Sequence, residues 1–179
     1  ELARFHSGKS LFLDTPEPRL DQSSTYKAIQ ELQMFMEYFP DSNRKTEAQL
    51  MIFNLQDKLV MKDYLTAKLY YDLGTYTGNA SYTTDMRING NNFLACITTA
   101  ENALNDYPYT SLREDISILL LRAKHKLGSE SVLEKKEERM RETIDEYYAF
   151  KNEFPESKYI KEVEKIYEDA RKYVKELNE

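Results

Sequence analysis

Three stretches of the chain repeat one pattern of apolar and polar positions, and each closes on the same signature: Phe39-Pro40-Asp41-Ser42, Tyr107-Pro108-Tyr109-Thr110 and Phe154-Pro155-Glu156-Ser157. Counting back from each proline, position −11 is Ile29, Ile97 or Ile144, and position −5 is Phe35, Ala103 or Phe150. Offsets of −11, −8, −5 or −4, and −1 fall on one stripe of an α-helix. The same amphipathic helix is therefore predicted three times. Proline closes each copy because it lacks an amide donor and pushes the residue before it out of helical geometry. The Ser or Thr two residues later is placed to cap the next helix, and Ser111 with Glu114 has the spacing of a capping box. The intervals between the prolines are 68 and 47 residues, so the first holds either a degenerate extra repeat or one enlarged repeat.

These marks predict helices over Leu2–Leu13, Thr25–Phe39, Arg44–Leu73, Phe93–Tyr107, Ser111–Leu127, Glu134–Phe154 and Ser157–Leu177. Gly8 is the small residue that lets the first helix approach a neighbour. Arg44–Leu73 contains no Gly or Pro, and its apolar positions Ala48, Ile52, Leu55 and Leu59 form a stripe that needs a partner helix. Residues 74–92 hold Gly74, Gly78 and Gly90, three of the five glycines, and form the one long loop. The pattern predicts an all-α chain, an α–α superhelix of stacked antiparallel helices filling a single domain over residues 1–179.

Composition narrows the function more than the fold. Gly and Pro number only 5 each in 179 residues, too few for the turn-rich sandwiches, barrels and propellers. The net charge of −6 disfavours non-specific attraction to nucleic acid or anionic lipid. The most apolar run, Ile116 to Leu121, is interrupted by Ser117 and is far shorter than the ~20 residues of a membrane span. The first residue is Glu1 rather than Met, as expected of a piece of a longer product.

The sequence carries no phosphate loop, dinucleotide fingerprint, nucleophile elbow or zinc-ligand pairing, so no enzyme, cofactor or metal is expected. Cys96 is the single cysteine, lies within a predicted helix, and reads as a small core residue. His6 and His125 have no ligand partner at a suitable spacing. The glutamates around Glu137 and Glu142 alternate with Lys and Arg as on a solvated helix face. Tyr is abundant, with 14 residues against no Trp. Tyr26, Tyr64, Tyr70, Tyr71, Tyr147 and Tyr148 fall on predicted helices and are read as packing between repeats. Tyr76, Tyr82, Tyr107 and Tyr109 fall at loops or helix ends and are the better partner-contact candidates.

These segments also resemble a known family. Tyr26-Lys27-Ala28-Ile29-Gln30-Glu31-Leu32 through Ser42 resembles the second helix of a tetratricopeptide repeat, with Ala28, Leu32 and Pro40 at the small, large and proline positions. The order is more specific. A long helix ends in Ala67-Lys68-Leu69-Tyr70-Tyr71-Asp72-Leu73-Gly74, followed by Ala100-Glu101-Asn102-Ala103-Leu104 through Thr110 and then Arg113-Glu114-Asp115. Thr143 to Ser157 continues the likeness. The arrangement resembles the BamD family of outer-membrane β-barrel assembly lipoproteins, in a Bacteroides-like form, from about Phe5 to Tyr173.

The resemblance implies about three tetratricopeptide-like repeats and a C-terminal helix, with the family's lipidated N-terminus and two further repeats lying outside this chain. Cys96, inside a helix, is not the lipid site. It further implies a scaffold at the periplasmic face of the outer membrane, anchored there only through a lipid. Its partners would be the periplasmic domains of BamA, other assembly-machine subunits and unfolded outer-membrane proteins. Arg113 joins the tyrosines as a contact candidate. A tetratricopeptide adaptor of another cell-envelope complex shares every helix-level feature. A glycan-binding lipoprotein would call for Trp platforms, which this chain lacks.

Overall fold

The computed structural model describes residues 1–76 and 91–176, and every described element is a helix. Seven helices follow in order: α1 (Leu2–Leu13), α2 (Ser23–Tyr38), α3 (Lys45–Leu73), α4 (Asn92–Asp106), α5 (Arg113–Ser129), α6 (Leu133–Glu153) and α7 (Ile160–Glu176). Neighbouring helices pack in an all-α arrangement of the α–α superhelix class, built of tetratricopeptide-like repeats. Between Pro40 and Pro108 the described residues hold α3 and α4. Contacts divide the chain into two compact units, one of residues 1–65 and 109–112, the other of residues 66–108 and 113–179.

In the first unit α1, α2 and the beginning of α3 enclose Phe5, Ala28, Leu32, Phe35, Ala48, Met51, Ile52 and Leu55. The predicted stripe Ala48, Ile52, Leu55 and Leu59 is buried throughout. Phe5 meets Phe35 edge-on at 5.3 Å, and Phe35 meets Phe39 at 5.7 Å. At Gly8 α1 and α2 pack tightly: a Cβ there would stand 2.8 Å from Leu32 Cδ2. The α1–α2 connection is closed by a buried polar knot. Gln22 Nε2 donates to the carbonyls of Glu17 (2.7 Å) and Leu20 (3.1 Å), and its Oε1 accepts from Thr25 Oγ1 at 2.7 Å.

In the second unit α5 is central, packing on α4, α6 and α7. One core cluster joins Ile118 and Leu121 of α5 to Tyr147 and Phe150 of α6 and Val163 and Ile166 of α7. Gly128 keeps α5 close to α6, since a Cβ would meet Met140 Sδ at 3.1 Å. Gly74 ends α3 at φ 54°, the left-handed conformation that favours glycine, and lies beneath the Phe93 ring.

The repeated helices bury the predicted positions −8 and −5, but the stripe continues through −12 and −15 instead of −11. Positions −15, −12, −8 and −5 from the prolines are buried in α2, α4 and α6 alike, while Ile29, Ile97 and Ile144 at −11 are only half-buried. The seam residue at −12 is Ala28, Cys96 or Thr143, each fully buried. Small side chains there let the next helix approach, and the isoleucines flank the seam. Cys96 is thus the middle copy of a small-residue position, and burial pushes its thiol up to about 12.

Candidate functional site

The three proline turns are near-identical in backbone. The residue before proline has φ/ψ of −131°/65° at Phe39, −130°/68° at Tyr107 and −127°/63° at Phe154, and its N–H bonds the carbonyl four residues back. The Ser or Thr two residues after proline then turns the chain: the oxygens of Ser42, Thr110 and Ser157 accept from the N–H of Arg44, Leu112 and Tyr159 at 3.0–3.2 Å. Each hydroxyl also donates to a carboxylate one helical pair earlier. Ser42 reaches Glu1 at 2.5 Å, Thr110 reaches Asp57 at 2.7 Å, and Ser157 reaches Glu114 at 2.6 Å. The expected capping box between Ser111 and Glu114 is therefore not formed. Asp57 takes the N–H and hydroxyl of Ser111, and Glu114 is committed to Ser157.

Within the second unit, α4 and α6 flank a trough whose floor is α5. It has a volume of about 400 Å³ and is lined by Glu101, Leu104 and Asn105 of α4, Arg113, Ser117 and Leu120 of α5, and Glu146, Ala149, Phe150 and Glu153 of α6. On each helix these residues recur at spacings of three and four, with Leu104–Asn105 and Ala149–Phe150 adjacent, so they occupy one face. Lys124, one turn beyond Leu120, lies between Glu101 (3.1 Å) and Glu146 (2.7 Å). Burial, the largest influence on Lys124, acts to lower it, but the bonds and charges of Glu146 and Glu101 together outweigh burial and hold the ammonium above its usual range. At the other end Arg113 forms a fork with Glu153, and its Nη1 donates to the carbonyls of Leu104 (3.5 Å) and Pro108 (3.3 Å). Outside the trough, Arg122 and Glu162 pair through two bonds of 2.6 and 2.7 Å; the bond from Arg122 holds the carboxyl below the usual glutamate range.

The predicted contact residues divide. Tyr109 is 90% exposed and Tyr76 is exposed just beyond α3, as a contact role requires. Tyr107 is the half-buried last residue before Pro108. Arg113 is engaged by Glu153 and two carbonyls, which makes it a wall of the trough rather than a free cation. Tyr82 lies outside the described residues. Among the helical tyrosines, Tyr147 is buried and stacks on Tyr167 at 4.4 Å, in keeping with the packing reading. That reading fails for Tyr26, which is exposed, and Tyr148 is half-exposed with its hydroxyl 3.3 Å from that of Tyr167.

Glu101, Ser117, Lys124 and Glu146 were not singled out by sequence reasoning for a site. One signal was present: Ser117 interrupts the most apolar run of the chain, and it proves to be a hydroxyl on the trough floor. Among the described residues no group of three His, Cys, Asp or Glu is placed to hold a metal ion, and no helix is long and apolar enough to cross a membrane. His125 is paired across α5 and α7 with Asp169 at 2.9 Å.

Residues 1–89 match the family model of YfiO, described as an outer membrane lipoprotein. This supports a YfiO-type, outer-membrane lipoprotein assignment at the family level and covers α1, α2 and α3. No curated protein matches the chain.

Proposed function

We propose that this chain is a non-enzymatic adaptor of the outer-membrane β-barrel assembly machinery, the C-terminal portion of a BamD-type lipoprotein at the periplasmic face of the outer membrane. In this reading it docks the periplasmic domains of BamA and helps the machinery insert barrel proteins. The observation that carries the reading is the YfiO match over residues 1–89. The recurring proline turns support it from the side of architecture, because repeated helical pairs present side chains of neighbouring helices to a partner. Tyr76, Tyr107, Tyr109 and Arg113 are the proposed contact residues among those described, and Tyr82 is a fifth.

The test is co-capture of purified BamA periplasmic domains by the immobilised full chain. Retention that saturates with BamA concentration is the expected result. No retention, with the chain folded by circular dichroism, overturns the reading. The second reading, a tetratricopeptide-like adaptor of another cell-envelope complex, is favoured by the match ending at residue 89, before α4. It predicts a folded chain that ignores BamA.

A further inference from the structure

Resting on the adaptor reading, in which Tyr109 is a contact residue, we propose that Tyr109 is an anchor that inserts into an uncharged apolar pocket of the partner protein and that Asp57 is the positioning residue that aims it. The three proline turns share one backbone, and the residue after proline is Asp41, Tyr109 or Glu156, exposed in each. Two of the turns put a carboxylate into water there. The middle one puts an aromatic ring there, 90% exposed, although a ring left in water forgoes the burial that stabilises it elsewhere.

The middle turn also differs in how it is fastened. At the outer turns the carboxylate of Glu1 or Glu114 takes a single bond among the described residues, from the hydroxyl two residues after proline. Asp57 takes three: from Thr110 Oγ1 at 2.7 Å, and from the N–H and hydroxyl of Ser111 at 3.2 and 2.7 Å. The counterparts of Ser111 are Asn43 and Lys158, which leave the carboxylate of their own turn to the hydroxyl alone. The Lys158 ammonium goes instead to Asp115 at 3.8 Å. The turn that carries the exposed ring is thus the one most firmly pinned. Neither difference is needed to make the turn, since the other two form without them. Together they hold a bulky ring out at a fixed place, which lowers the entropy cost of binding through it.

Residues 109–112 and the first part of α3 belong to one compact unit. On α3, Leu50, Phe53 and Asp57 stand at i, i+3 and i+7, on one face, and Leu50 and Phe53 are exposed. Apolar side chains therefore lie one and two helical turns before the residue that holds the loop. Asp57, the charged member of the three, is committed to Thr110 and Ser111, so what this face offers a partner is hydrocarbon and a phenol ring. The complement of such a surface is an uncharged apolar pocket that takes the ring as its anchor.

The test is a titration of the immobilised full chain with the BamA periplasmic domains, each variant being checked for folding by circular dichroism. Tyr109→Ala is expected to weaken retention at least about tenfold, as loss of an anchoring tyrosine does, and Tyr109→Phe, which keeps the ring, to stay within about threefold. Glu156→Ala, at the matching position of the third turn, should leave retention unchanged. Asp57→Ala should weaken retention about threefold or more and add nothing further once Tyr109 is alanine, because the two act as one unit. Asp57→Asn replaces it if the alanine variant does not fold. Retention unchanged in Tyr109→Ala overturns the inference and leaves the adaptor reading standing. Losses that add in the double variant overturn the positioning role of Asp57. No retention by the folded wild type overturns the adaptor reading and this inference with it. In sedimentation the chain alone is expected to be a monomer; a dimer dissolved by Tyr109→Ala makes a second copy the occupant and overturns the inference.

Discussion

The turns at Pro40 and Pro108 have the same backbone to within a few degrees, yet they are filled in opposite ways. At Pro40 the position five residues back is Phe35, a fully buried ring set between Phe5 and Phe39. At Pro108 it is Ala103, and Arg113 instead gathers the end of the turn, bonding the carbonyls of Leu104 and Pro108 and gripping Glu153 of α6. One turn is plugged by hydrocarbon and the other is stapled by a guanidinium. Both turns share the proline, the aromatic before it and the hydroxyl two residues after it, and with these in common the filling is free to vary. Where the ring is missing, the polar wall of a trough takes its place.

The largest expected effect comes from removing the plug. Phe35→Ala should cost about 3–5 kcal/mol, the range for an aromatic deleted from a packed core, read as a lower urea midpoint with an unchanged slope. A loss under about 1 kcal/mol would mean that the ring is dispensable and the comparison empty. Next is the staple. Arg113→Ala should cost about 1 kcal/mol at low salt and less as salt rises, because the pair with Glu153 is partly exposed and screened. A salt-independent loss would assign the effect to packing instead. The smallest is at the seam. Cys96→Ala gives the middle helix the residue that α2 has at Ala28 and should change stability by less than about 1 kcal/mol. In the wild type, with its thiol at about 12, Cys96 should react with a thiol reagent at pH 8 only as fast as the chain unfolds.

The helices were legible because proline and glycine punctuate them: α1 lies where it was expected, and α3 differs by one residue at its start. The starts of α5 and α7 were read too early, at Ser111 and Ser157 instead of Arg113 and Ile160. The hydroxyls of Thr110 and Ser157 first build a short turn of their own before the helix begins. The stripe holds at −8 and −5 and differs at −11, because isoleucine looks more core-like than Ala28, Cys96 or Thr143, whereas close helix approach selects for small volume. The trough was hidden for a different reason. Glu101, Lys124 and Glu146 come from three helices, and no periodicity along one helix reports a charge shared among three.

The hydroxyl-to-carboxylate links have a direction. In each of the three, the acceptor (Glu1, Asp57 or Glu114) precedes its donor (Ser42, Thr110 or Ser157) along the chain by 41 to 53 residues. Each link therefore ties a turn back to a carboxylate on an earlier part of the chain, so cutting any one of them loosens the turn from what precedes it and leaves the other two links in place.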